Sequence, residues 1–231
     1  MEVCPRGFRL KAEKGVNLPD SSFPASCSAL TAEDEANLGH ALRLLEVAER
    51  PLTVGLSFVR SEEDVQRLCR ALQERGASPD RVSVCVKIET RAALLALPLV
   101  LLACLAGPYP ASVMLARGDL AAEIGFSQLS AAMDDVVTLA AAAHLPVVFA
   151  TQVLEMLAKT GTPSRSEMSD VAAASKCECV MLNKGAHLAD AVAFLSRLLE
   201  KQQHRNHKHR LMLRQLSSIE LSRFVPEQTR N

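Results

Sequence analysis

Lys87, Glu89 and Asp119 are the residues of this sequence whose types and spacing could do chemistry. Lys87 and Glu89 flank Ile88 within a β-branched run, so on an extended backbone their side chains point the same way. Glu89 and Asp119 carry hard oxygen ligands of the kind Mg2+ accepts, with substrate and water completing the coordination. The tripeptide Arg117–Gly118–Asp119 offers backbone N–H groups beside a glycine, where a carboxylate or phosphate can approach closely. A cation, two carboxylates, a lysine and an anion-receptive backbone suit a reaction that builds negative charge on a phosphate or enolate oxygen.

Such residues cooperate only if the fold gathers them. Short apolar, β-branched runs recur at Leu52–Leu56, Val82–Ile88, Val113–Ala116, Pro146–Ala150 and Cys179–Leu182. Their starts lie about 30 residues apart, the length of a strand plus a crossover helix. Helical patterns fill the gaps, at Ser61–Arg75, Phe126–His144 and Ala186–Lys201. Ser61 is placed as an N-cap with acidic residues after it, and Gly76 as the stop. Regular alternation of strand and helix predicts parallel strands, apolar on both faces, in an α/β fold. A doubly wound sheet and part of a (β/α)8 barrel both fit, and the absence of a G-x-G-x-x-G string after the first strand lowers the dinucleotide-binding alternative.

Each strand runs into polar residues: Ser57 and Arg60, Lys87 and Glu89, Arg117 to Asp119, Thr151 and Gln152, then Asn183 and Lys184. One polar residue after a strand is ordinary loop entry. Five in register imply convergence, because parallel strands all end on one face of the sheet.

Composition narrows the function classes. Of the 231 residues, 48% are apolar and 23% charged, as in an ordinary globular domain, and the formal net charge is zero. No overall field therefore draws the chain to nucleic acid or an anionic membrane. With no Trp and one Tyr, it also lacks stacking platforms for single-stranded nucleic acid. Cys4, Cys27, Cys69, Cys85, Cys104, Cys177 and Cys179 form no C-x-x-C pair, so they read as structural thiols in a reducing compartment, the cytoplasm first. Residues 1–14 have no apolar core of a secretory signal. Ala92–Ala106 is shorter than the roughly 20 residues a bilayer span needs and is interrupted by Pro98, so it reads as a buried helix.

Six strings together resemble the pyruvate kinase family, in that family's order: KGVNLPD (14–20), LSFVRS (56–61), VKIET (86–90), MLARGDLAAEIG (114–125), ATQVLE (150–155) and TPSRSEMSDVA (162–172). The combination of ARGDL, ATQ-x-LE and P-x-R-x-E-x-x-D carries the resemblance, which covers roughly residues 10–200. It implies phosphoryl transfer between phosphoenolpyruvate and ADP, giving pyruvate and ATP in glycolysis, with Mg2+ or Mn2+ and with K+. Lys87 would then stabilise the transferring phosphoryl group and the enolate oxygen. Glu89 and Asp119 would hold the metal, and the Gly118 and Asp119 N–H groups would receive the substrate carboxylate. Thr151 would bind substrate near the carbon that is protonated, and Lys14 would contact nucleotide. Ser57, Arg60, Arg117, Gln152, Arg165 and Glu167 would support the site. Phosphoryl transfer of this kind is chiefly positioning and charge neutralisation.

The resemblance also implies a domain layout: residues 1–20 as the end of a lid domain, 21–200 as a partial barrel of about five βα units, and 201–231 as a basic helical or disordered tail. The family's first three strands, with an Arg, Asn, Ser, Asp and Thr for substrate, nucleotide and K+, have no counterpart here. The expectation is therefore an open sheet with two unpaired edges and a chain weakly active or inactive alone, as a homo-oligomer or beside a complementing chain. VMLNKG (180–185) replaces the family's usual turn after the last strand. His204, His207 and His209 lack an acidic or cysteine companion and read as a solvated helix end, His40 and His144 receive no role, and residues 217–231 are expected to be disordered. Two alternatives remain at this level. One is a Mg2+-dependent pyruvate lyase or aldolase, and the other a non-catalytic degenerate barrel acting in assembly.

Overall fold

β-Branched runs joined by helical crossovers build one five-stranded, all-parallel sheet in which spatial order equals sequence order. The structure is a computed structural model that describes residues 17, 21, 28–45, 47, 48 and 50–203. Helix α1 (Ala32–Leu44) precedes β1 (Leu52–Leu56), and α2 (Glu62–Glu74) leads to β2 (Val82–Ile88). Two short helices, α3 (Arg91–Leu95) and α4 (Leu97–Ala106), cross to β3 (Ala111–Ala116). After β3 come α5 (Arg117–Ile124), α6 (Phe126–Ala142) and β4 (Val147–Val153). Helices α7 (Glu155–Thr160) and α8 (Arg165–Ala174) precede β5 (Cys179–Leu182), and α9 (Leu188–Gln203) follows it. The sheet curls into half of a (β/α) barrel, with β1 and β5 at its two edges.

Side-chain alternation separates the faces. Val82, Val84, Val86 and Ile88 of β2 belong to the main apolar core beneath the helices, while Ser83, Cys85 and Lys87 take the opposite face. Register continues that second face across the sheet: Thr53 pairs with Ser83, Gly55 with Cys85 and Lys87 with Met114. The expectation of strands apolar on both faces is thus corrected. Helices cover one face only, and on the other the edge strands expose Thr53, Gly55, Cys179 and Met181.

Helix boundaries follow local chemistry. Ser61 occupies the N-cap of α2 in extended conformation, but its hydroxyl makes no capping bond. It bonds the Glu63 side chain instead, holding that carboxyl below the usual range. Gly76, at φ +69, closes α2: its N–H reaches the Gln73 carbonyl and that of Ala77 the Leu72 carbonyl. His144 takes the same left-handed position after α6, at φ +55, with the same bond pair to Ala141 and, from Leu145, to Ala140. The apolar stretch Ala92–Ala106 is two helices meeting at Ala96, because Pro98 cannot continue the first and is accommodated in the opening turn of the second. It is buried along one side, through Leu97, Val100 and Leu101, while Leu102 and Leu105 are exposed. Among the described residues no helix is long and apolar enough to cross a membrane.

All five described cysteines are free thiols. Burial pushes the Cys104 thiol up to about 12, with Cys69 and Cys85 adding to the effect. Burial likewise pushes Cys177 up to about 12, reinforced by Glu178 and opposed by Lys176. Cys69 and Cys85 are raised mainly by burial. A protonated, buried thiol is a poor nucleophile. In iodoacetamide labelling read by peptide mapping at neutral pH, Cys179 is expected to react first of these five. Cys69, Cys85 and Cys104 should react only once the protein is unfolded.

Candidate active site

The carboxyl ends of β1 and β2 bring Ser57, Lys87 and Glu89 together. Lys87 Nζ donates to Ser57 Oγ at 3.0 Å and lies 2.9 Å from Glu89 Oε2. Glu89 is 1% exposed, a costly place for a carboxylate unless its charge is met. Its Oε1 accepts the Phe58 N–H at 2.6 Å, beside a left-handed backbone turn at Phe58 (φ +53). Oε2 is buried and, among the described residues, is met only by the adjacent Lys87 charge, which offsets it. Thr90 secures the same segment: its hydroxyl donates to the Val59 carbonyl at 2.7 Å and accepts the Ala93 N–H at 3.0 Å as the cap of α3.

Arg117 organises the next two strand ends. Its Nε donates to the Ala150 carbonyl at 3.1 Å, one Nη to Asp170 at 2.7 Å, and the other Nη to the Thr151 carbonyl. The guanidinium also lies over the Phe149 ring, 4.4 Å from its centroid. These contacts hold a strained turn in which Thr151 and Gln152 sit at φ +71 and +57, with Leu154 at +50. In that turn Thr151 Oγ1 accepts the Gly118 N–H at 3.0 Å. The backbone amide expected to receive a substrate carboxylate is therefore engaged by the threonine hydroxyl. Asp119 stands in the first turn of α5, where the Asn17 side chain approaches its carbonyl at 3.3 Å and its carboxylate at 3.4 Å.

Glu167 is a brace. It is 5% exposed, accepts the Ser164 N–H at 2.6 Å in a capping box, and accepts the Met156 N–H at 2.7 Å and the Leu157 N–H at 3.4 Å. One carboxylate thus joins the start of α7 to the start of α8, next to the strained turn. Arg165 and Gln152 are exposed, and Arg60 uses its N–H on Asp64 at 2.9 Å. At the end of β5, Asn183 is half-buried and Lys184 exposed. Gly185 lies so close to α7 that an added Cβ would fall 2.1 Å from the Ala158 carbonyl oxygen. Lys14, His204, His207, His209 and residues 217–231 lie outside the described residues. His40 is exposed on α1.

Three contributors escape a reading by residue type. Asp170 sits within a recognised string, yet its partner Arg117 is distant in sequence and only folding pairs them. The Phe58 amide carries no side-chain signal at all. Asn17 follows Lys14 in its string, but its approach to Asp119 joins residues 102 positions apart in sequence. Among the described residues no three His, Cys, Asp or Glu side chains gather into a metal cluster.

Comparison with known proteins decides the family. The family model for the pyruvate kinase barrel domain matches residues 2–190. The chain belongs to the pyruvate kinase family. It is 33% identical over 215 residues to a pyruvate kinase of Agrobacterium vitis, covering 90% of this chain and 40% of that protein. A pyruvate kinase of Corynebacterium efficiens is 34% identical over 179 residues, covering 77% of this chain and 34% of that protein. Pyruvate kinase 1 of Trypanosoma brucei brucei is 27% identical over 226 residues, covering 95% of this chain and 42% of that protein. The chain thus spans between about a third and two fifths of the length of these pyruvate kinases. Neither the lyase reading nor the assembly reading gains support from them.

The brace gives a direct test. Glu167→Ala leaves three amide N–H groups without their acceptor and should lower stability by about 2–3 kcal/mol in urea unfolding followed by circular dichroism. Glu167→Gln keeps an acceptor oxygen and should cost clearly less.

Proposed function

We propose that this chain carries the metal-and-phosphoryl side of a pyruvate kinase site, for transfer between phosphoenolpyruvate and ADP that gives pyruvate and ATP. The observation that carries the reading is Glu89 Oε2: a buried carboxylate oxygen at the carboxyl end of the sheet that, among the described residues, meets only the Lys87 ammonium, at 2.9 Å. An oxygen so placed fits a hard divalent cation, and Asp119 at the neighbouring strand end supplies a second carboxylate. With only two such ligands, the rest of the coordination falls to substrate and water, the usual arrangement for Mg2+. Mg2+ held by Glu89 and Asp119, or Mn2+ in its place, would neutralise charge on the phosphoryl and enolate oxygens.

The chain's own residues do the rest. Lys87 is anchored by Ser57, so its ammonium is positioned before substrate arrives and can meet charge developing on the transferring group. The first turn of α5 presents N–H groups to a carboxylate, and substrate would displace the Thr151 hydroxyl from the Gly118 N–H. Thr151, held by Arg117 through its carbonyl, then faces the bound molecule. Glu167 and Asp170 keep this turn in place, Arg60, Gln152 and Arg165 support the rim, and Lys14 serves the nucleotide. K+ belongs to the reading through the family, and no residue of the chain is assigned to it. Work in the cytoplasm accords with glycolysis and with the free thiols. The described strands form an open half of a barrel, so the chain by itself is expected to bind a substrate analogue and turn over little. A second copy or a complementing chain would close the site.

Oxalate, an enolate analogue, tests the half-site without requiring turnover. Thermal melts followed by circular dichroism should show Mg2+ and oxalate together raising the Tm more than either alone. Glu89→Gln and Asp119→Asn should each remove that synergy. Lys87→Met should weaken oxalate more than Mg2+. No synergy in the parent chain would sink the assignment. Robust turnover of phosphoenolpyruvate and ADP by the isolated monomer would sink the half-site description instead.

A further inference from the structure

A cluster of arginines occupies the other end of the sheet, at the strand amino termini and away from Lys87. Arg43 in the last turn of α1, Arg75 at the end of α2 and Arg81 just before β2 line an open cavity of about 420 Å3, with Leu42, Leu45 and Ser78 among its other walls. Two of the three have structural work. Arg75 Nη1 donates to the Ala71 carbonyl at 2.9 Å, and Nη2 to Glu35 at 3.3 Å. Arg81 Nη2 donates to the Leu45 and Ala48 carbonyls at 3.1 and 2.6 Å, tying the end of α1 to the sheet.

That work leaves two features unexplained. Arg81 Nε is buried and has no partner among the described residues, an arrangement that native structures seldom leave unmet. The Arg43 side chain makes no hydrogen bond or ion pair among the described residues, although it lines the same cavity. Three guanidiniums meet one described carboxylate, Glu35, in a chain whose overall formal charge is zero. Like charges so grouped repel one another unless an anion joins them. Guanidinium forks match carboxylate and phosphate oxygens in geometry, and the apolar side formed by Leu42 and Leu45 limits their screening. The volume falls within the roughly 300–1,000 Å3 of small-molecule pockets.

We propose that this cavity binds a small polyanion whose phosphate or carboxylate oxygens accept hydrogen bonds from Arg43, Arg75 and Arg81. The site is separate from the proposed phosphoryl-transfer site and does not depend on it. Its occupant bridges α1, the end of α2 and the start of β2, so binding should stabilise the fold.

Two probes distinguish the chemistry: inorganic phosphate and citrate, each titrated calorimetrically against the purified chain in buffers matched for ionic strength with NaCl. Lys87→Met serves as the background, so that anion binding at the opposite end does not contribute. Saturable binding of either probe is expected, with a matching rise in Tm, and the tighter of the two identifies phosphate or carboxylate as the preferred group. Arg43→Glu should weaken that binding by about tenfold or more, and Arg43→Gln by less, as expected for losing one charge-assisted contact. The Arg43 side chain makes no described bond that holds the fold, so both variants should keep the parent circular dichroism spectrum. Absence of saturable binding by both probes, or equal affinity in the parent and Arg43→Glu, overturns the proposal.

Discussion

The Arg117 guanidinium is the contact on which the carboxyl end of the sheet depends. It leaves the end of β3, binds two successive carbonyls of β4, meets Asp170 on α8 and covers the Phe149 ring. Parallel strands are joined by ladders along their length, but their ends are free to splay where the loops begin. One planar cation with donors in fixed directions fixes three units there at once. The positive φ angles of Thr151, Gln152 and Leu154 persist because this contact and the Glu167 brace over-determine the turn from both sides. The lysine–glutamate pair at the end of β2 lies one strand away, and its geometry has meaning only because the neighbouring strand end stays in register.

Charge is handled differently at two buried carboxylates near the carboxyl end of the sheet. Around Glu89 a single carboxylate is deeply buried, with one oxygen met by an amide and the other by an ammonium. At Glu167 the same chemical group is saturated by amides, and it reads as architecture. The two carboxylates thus differ in what meets them, an ammonium and one amide at Glu89 against amides alone at Glu167.

Much of this was legible in the chain itself. The five strands, their parallel pairing and the convergence of polar strand ends follow from periodicity, and β1, β2 and β5 have the bounds their apolar runs imply. The start of β3 extends two residues further back, because Ala111 and Ser112 pair with β2 despite weak strand chemistry. Exposure of the edge strands on one face was not legible, since a buried strand and a half-covered one can have the same composition. Partnerships were the least legible part. Arg117 with Asp170, Asn17 with Asp119 and the Gly118 amide with Thr151 are products of topology, and nothing in the residue types distinguishes these pairings from others. Ser61 stands where an N-cap should stand and still gives its hydroxyl to Glu63, because a nearby carboxylate competes with the backbone for it.

The sheet order has a consequence for how the molecule is made. Because each strand's partner is the one just before it in the chain, no pairing waits for a distant segment. Contacts of short sequence separation close with modest loss of chain entropy, so the sheet can lengthen one unit at a time as the chain is synthesised from its amino end. Each new strand then finds an edge already formed, and the growing edge is also the surface exposed to mispairing. β5, short and half exposed, is the last strand in that order among the described residues.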